Sequence, residues 1–150
     1  MARVEDVAAY ILSERGPMTA MKLQKLCYYS QAWHLVWEEE LLFDSRIEAW
    51  ANGPVINDLY RLHRGRFRLA EGDIPGDSAR LSEDESSTVD AVLEFYGDMS
   101  AHHLSDLTHR ETPWRAAREA ADLAPMERGN EVIEPAAMHE YYLGIYSEGE

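Results

Sequence analysis

The 150-residue chain reads as mainly helical, with at most one short β-hairpin. Three observations carry that expectation. The run Thr19 to Trp37, TAMKLQKLCYYSQAWHLVW, is apolar almost all the way round, as a helix is when it is buried among neighbours. Helix-start signals recur at Thr19, Ser82, Ser100 and the Thr112–Pro113 pair. Only one short stretch, residues 45–50, alternates polar and apolar in the manner of a strand.

Taken in order, Val4, Val7, Ala8, Ile11 and Leu12 fall on one face of a first helix, expected from about Val4 to Glu14 and stopped by Gly16 and Pro17. Thr19 is the expected N-cap of a central buried helix over about 19–37, which the acidic run Glu38 to Glu40 ends. SRIEAW at 45–50 is the candidate strand. Asn52, Gly53 and Pro54 then form a turn, with Pro54 at a helix start where its missing N–H is harmless. A helix from Val55 to about His63 would place Val55, Leu59 and Leu62 inward. Gly65, Gly72, Pro75 and Gly76 mark a surface loop at about 65–81. Ser82 with Glu85 forms a capping box for a helix carrying Val89, Val92, Leu93 and Tyr96 inward. Ser100 caps a short helix to about His109. Thr112, Pro113 and Trp114 open another, through Ala121. Pro125, Gly129 and Asn130 break the chain. A last helix, from about Pro135 to Tyr146, carries Met138, Tyr141, Tyr142 and Ile145. The length fits a single domain over 1–150.

Composition narrows the function. Hydrophobic residues make up 45% of the chain, with four Trp and eight Tyr, enough for a substantial core. No window of apolar residues is long enough to span a membrane. The first residues carry Glu5, Asp6 and Glu14 through a short apolar stretch, the pattern of an amphipathic helix rather than a signal peptide. A cytoplasmic protein is expected. The net charge of −14 disfavours nucleic acid as a partner; it suits solubility or a basic protein partner. Arg61, Arg64, Arg66 and Arg68, interleaved with Phe67, run against that background, but acidic residues from Glu71 to Asp77 follow directly, and intramolecular charge balance explains them more simply.

Few residues carry recognisable chemistry. Gln24, Cys27, Gln31 and His34 are spaced i, i+3, i+7, i+10 and form a polar seam within roughly a quarter of the helix circumference. The plainer reading makes this the solvent-facing side of the central helix; the other makes it a buried hydrogen-bonding seam facing a cleft or partner. Lys22 and Lys25 are the helix's basic residues, and burying either calls for a carboxylate, for which Glu48 is a candidate. His102, His103 and His109 lie near Asp106 and Glu111, but the spacing matches no zinc signature and adjacent histidines diverge on a helix, so no metal or cofactor is expected. His109 fits better as a capping or hydrogen-bonding residue between two helices. Cys27, the one cysteine, reads as a small buried hydrophobe. No nucleophile elbow or phosphate loop is present in the sequence.

Three blocks resemble one family. M-K-L-Q-K-L-C-Y-Y-S-Q-A-W at Met21 to Trp33, I-E-A-W-A-N-G-P-V at Ile47 to Val55 with Leu59 and Tyr60 following, and L-S-D-L-T-H-R-E-T-P-W-R-A-A at Leu104 to Ala117 occur in the order of the Panacea-domain, or SocA-like, antitoxins. The resemblance implies a small, mainly helical, often prophage-borne protein that neutralises a toxin by direct contact, with no enzymatic activity. Delivery of the toxin to a protease is the implied alternative, and a metal-dependent or hydrolytic enzyme built on His109 with Glu48 or Asp106 is the alternative of another class. Lys25, Gln31, Glu48, His109, Gly53, Pro54, Pro113 and Trp114 match the family pattern. Gly53, Pro54, Pro113 and Trp114 have structural explanations. The others, with Gln24 and His34, are the candidates for a partner surface or an internal polar network. No helix-turn-helix is evident, and the toxin's identity and the oligomeric state are left open.

Overall fold

Helix α1 (Val4–Arg15) buries Val4, Val7, Ala8, Ile11 and Leu12, the expected face. Strand β1 (Met18–Thr19) leads directly into α2 (Ala20–Glu38), and the Thr19 hydroxyl accepts from Lys22 N–H as the anticipated cap. The structure, a computed structural model, describes residues 1–148, so the last two residues of the expected 1–150 domain lie outside it. Strands β2 (Ile47–Trp50) and β3 (Gly53–Ile56) form an antiparallel hairpin around Ala51 and Asn52, with Glu48 opposite Val55 and Trp50 opposite Gly53. Helix α3 (Asn57–His63) follows, and β4 (Arg68–Leu69) returns to pair with β1. Helices α4 (Glu83–Tyr96), α5 (Ala101–Arg110), α6 (Thr112–Ala120) and α7 (Pro135–Glu148) complete a mainly helical fold.

The architecture is centred on α2, which packs against α1, α4, α5, α7 and β3. That surround explains its sequence: Leu23, Leu26, Cys27, Tyr28, Tyr29 and Ala32 are all buried on different sides of it. No helix among the described residues is long and apolar enough to cross a membrane.

Three local expectations need correction. The helix expected from Val55 begins at Asn57, because Gly53 to Ile56 pair with β2; Pro54 suits an edge strand as well as a helix start, and the pairing decides. The segment 65–81 is more than a surface loop. Leu69 and Ile74 are buried, Ser78–Arg80 forms a 3-10 turn, and the Asp77 N–H is held by Asp6 Oδ1 at 2.8 Å. Thr112 is the first residue of α6 rather than its cap, which is Glu111. That shift matters, because the Glu111 side chain is thereby free to point into the core.

Candidate functional site

The two glutamines of α2 act as artificial strand neighbours. Gln24 Oε1 accepts from Ile56 N–H at 2.8 Å, and its Nε2 donates to the Ile56 carbonyl at 3.2 Å. A side-chain amide thus closes the free edge of β3 as a further strand would. With Oε1 fixed as acceptor, Nε2 must also be the donor toward His63 Nε2, 3.0 Å away, which requires a neutral ring. Burial lowers the His63 pKa, with nearby Lys25 adding to the effect. Two turns further along, Gln31 Oε1 accepts from Leu42 N–H at 2.7 Å and Phe43 N–H at 3.3 Å, while Nε2 donates to the Phe43 carbonyl at 2.8 Å. This pins the chain that leaves α2. His34 Nδ1 lies 2.8 Å from Thr88 Oγ1 and ties α2 to α4. Gln24, Gln31 and His34 are 1%, 2% and 2% exposed, so the seam does not face solvent: α4, the hairpin and the Leu42–Phe43 segment cover it.

Lys25 is fully buried, and its Nζ donates to the Pro54 carbonyl at 3.2 Å. The anticipated carboxylate is elsewhere. Glu48 accepts instead from Trp50 Nε1 and Arg46 Nη2, each at 2.9 Å. Without a carboxylate to repay desolvation, burial lowers the Lys25 pKa to about 7. Gly53 makes room for this lysine. Its φ of +121° lies where side chains are strained, and a Cβ there would stand 2.7 Å from Lys25 Cε and 3.1 Å from Thr108 Oγ1.

Across α2 lies a buried carboxyl group that the sequence pattern did not single out. Glu111 Oε1 accepts from Tyr29 at 2.6 Å and from Tyr142 at 2.8 Å, and the Tyr142 hydroxyl lies 3.1 Å from that of Tyr28. Burial raises the Glu111 pKa while the two hydroxyls oppose the rise. The paired tyrosines, Tyr28–Tyr29 and Tyr141–Tyr142, were the available signal: hydroxyls inside apolar runs need partners.

His109 stacks on Trp114 at 4.1 Å between α5 and α6, and its buried Nε2 has no hydrogen-bond partner among the described residues. Burial lowers its pKa, against a contact with the Asn52 backbone. Trp114 Nε1 donates to the Trp50 carbonyl at 2.7 Å, so Pro113 and Trp114 dock α6 on the hairpin. Arg118 beside it is also buried; it donates to the carbonyls of Ala49, Ala124 and Glu127 and holds the 121–131 segment against β2. His102 pairs with Asp106 at the surface at 3.3 Å, and no metal-holding group of His, Cys, Asp and Glu occurs among the described residues. Of the arginine cluster, the Arg61 and Arg66 guanidiniums face Asp58 and Asp73 at 3.4 Å and 3.7 Å, whereas Arg64 and Arg68 are exposed without an ion pair among the described residues, so the expected balance reaches two of the four. Burial pushes the Cys27 thiol up, away from thiolate chemistry.

The seam, Lys25, the hairpin, Glu111 and Trp114 all fall within residues 23–115, the span matched by the family model described as Antitoxin SocA-like, Panacea domain. No curated protein and no solved structure matches the chain.

Proposed function

We propose, from the premise that this chain belongs to the SocA-like antitoxin family and carries its Panacea domain, that it binds and neutralises a toxin protein by direct contact, without catalysis, in the cytoplasm. The family match carries this reading. The geometry supports it in a second way. Gln24, Gln31, His34 and Glu48, the polar residues that invited a catalytic or binding role, are committed to backbone and side-chain partners inside the fold. The net charge of −14 favours rapid encounter with a basic toxin.

Co-expression with the adjacent gene tests the proposal. The neighbouring product alone should arrest growth, and this chain should restore growth and co-purify with it. A harmless neighbour with no complex would overturn the reading. The partner's half-life separates two routes to neutralisation: an unchanged half-life in the complex fits occlusion, and a shortened one fits delivery to a protease.

A further inference from the structure

We propose that the face formed by Trp37, Phe95 and Tyr146 is the docking surface for that toxin, and that the toxin presents to it an apolar side chain ringed by lysine or arginine. This rests on the antitoxin reading and assigns it a place on the molecule.

The three side chains are 37%, 69% and 45% exposed, although each is a large aromatic. They belong to three different helices, α2, α4 and α7, and are tied together beneath the surface: Trp37 and Tyr146 both pack on Trp33, and Phe95 is joined to Trp33 through the buried Tyr96. Phe95 meets Tyr96 edge-on at 4.8 Å, and the Tyr96 hydroxyl accepts from Trp33 Nε1 at 2.9 Å. Trp33 in turn stacks on Trp37 at 5.3 Å and meets Tyr146 at 6.4 Å. On α7, Leu143 and Ile145 are exposed too, at 38% and 39%. Large apolar side chains left exposed on one interlocked aromatic cluster mark an interaction site, whereas single exposed hydrophobes do not. Phe67 and Met126 are more exposed still, but stand on separate segments of the chain.

The face is rigid from beneath. Tyr29 is fully buried, stacks on Tyr96 at 4.1 Å, and is itself tied to Glu111. Aromatic anchors held in place before contact lose little conformational freedom on binding, which is how few residues come to dominate an interface.

Charge selects the occupant. Glu38, Glu39 and Glu40 follow Trp37 directly and are exposed. They sit at the C-terminal, negative end of the α2 dipole, where carboxylates cost stability. Glu39 moreover holds a left-handed φ of +56°. Glu94 is exposed beside Phe95, and Glu148 acts on Tyr141 near the other edge. Arg115 also reaches Tyr141, and Arg15 and Lys22 donate to the Leu93 and Gly97 carbonyls at the Phe95 end, so the acidic charge is concentrated at the Trp37 end, on Glu38, Glu39 and Glu40. A second copy of this chain would bring acid against acid across the same face; a toxin with a basic rim would not.

The test uses the full chain and the toxin identified by rescue. Trp37→Ser with Phe95→Ser should weaken binding by about 100-fold or more and abolish rescue while the thermal transition is retained. Phe67→Ser with Met126→Ser should bind and rescue as the parent does. Glu38→Lys, Glu39→Lys and Glu40→Lys together should slow association about tenfold at low salt and remove most of its salt dependence. If the folded Trp37→Ser, Phe95→Ser chain still rescues and binds within about threefold, the docking face is wrong and the antitoxin reading stands. If the parent chain itself neither binds nor rescues, the antitoxin reading falls and takes this assignment with it. A homodimer of the isolated chain that Trp37→Ser dissociates would show that a second copy occupies the face, and would overturn the proposal.

Discussion

Two stripes run along α2, and they behave oppositely. Gln24, Gln31 and His34 form a polar stripe that stays buried over its whole length, each side chain bonded to a neighbouring segment. Tyr29, Trp33 and Trp37, at i, i+4 and i+8, form an aromatic stripe that starts at 0% exposure and ends at 37%. On this helix polarity marks the interior and aromaticity marks the way out. The reason is topological. At Gln24 and Gln31 the polar stripe faces a strand edge and an irregular chain, whose backbone groups need partners that an apolar side chain cannot supply, while His34 meets the Thr88 hydroxyl of α4. The aromatic stripe faces other helices, whose backbones are already satisfied, and it outruns their cover near the C-terminus.

The comparison breaks first if the polar stripe can be removed cheaply. Gln31→Ala should be the most damaging single change in either stripe. It leaves Leu42 N–H, Phe43 N–H and the Phe43 carbonyl without their partner in a buried setting. An unmade buried hydrogen bond costs about 1–3 kcal/mol, so a loss of roughly 3 kcal/mol in urea unfolding is expected once some relaxation is allowed. Gln24→Ala, which strips both groups of Ile56, should fall close behind. Unfolding midpoints equal to the parent's for both variants would show that the seam is ornamental to folding.

Lys25 gives an effect of opposite sign. Its folded pKa of about 7 lies below the ordinary 10.5, so between those values the unfolded chain binds a proton that the folded chain does not. Stability must then rise with pH from about 7 toward 10.5; below about 7 the buried ammonium imposes its full cost, on the order of 4–5 kcal/mol at 1.4 kcal/mol per pKa unit. Lys25→Met replaces the charge with a side chain of similar length. It should stabilise the protein by about 2 kcal/mol at pH 7, since the lost bond to the Pro54 carbonyl offsets part of the gain, and the difference from the parent should shrink as pH rises from 7 to 9. Denaturant titrations at a series of pH values check both. A parent chain whose stability runs parallel to that of Lys25→Met over this range would show that the lysine finds a counter-charge.

The contrast between the stripes also explains what was legible in the sequence. Helices α1, α2, α4 and α5 were readable because caps and 3.6-residue periodicity are local: Thr19, Ser82 and Ser100 cap the last three. The strand at Gly53 to Ile56 was not, because it exists only by pairing with residues 47–50, and Pro54 fits either conformation. Periodicity placed Gln24, Gln31 and His34 on one side of α2, but spacing gives an azimuth and not the identity of what lies there. A helix apolar on its other sides invited solvent as the answer, and a strand edge turned out to occupy the position. Glu111 was read only as a neighbour of the histidines, since its meaning depends on Tyr29 and Tyr142, which reach it from two distant helices.

The smallest expected effect sharpens the comparison most. If the aromatic stripe serves the surface at its end, shortening that end should leave the fold almost untouched. Trp37 is 37% exposed and Phe95 69% exposed, and no hydrogen bond from either indole or ring is needed to satisfy a buried group. Trp37→Ser removes the stack on Trp33, and Phe95→Ser removes an edge contact with Tyr96. Such contacts contribute about 0.5–1.5 kcal/mol each when well formed, and less at an exposed rim. Each variant should therefore lie within about 1 kcal/mol of the parent in the same urea titration that detects Gln31→Ala. Tyr29→Phe is the control on the buried end of the stripe. It takes one of two donors from Glu111 and should cost more than either rim change. A loss for Trp37→Ser as large as that for Gln31→Ala would mean that the aromatic end is part of the core after all, and the two stripes would then differ in chemistry but not in task.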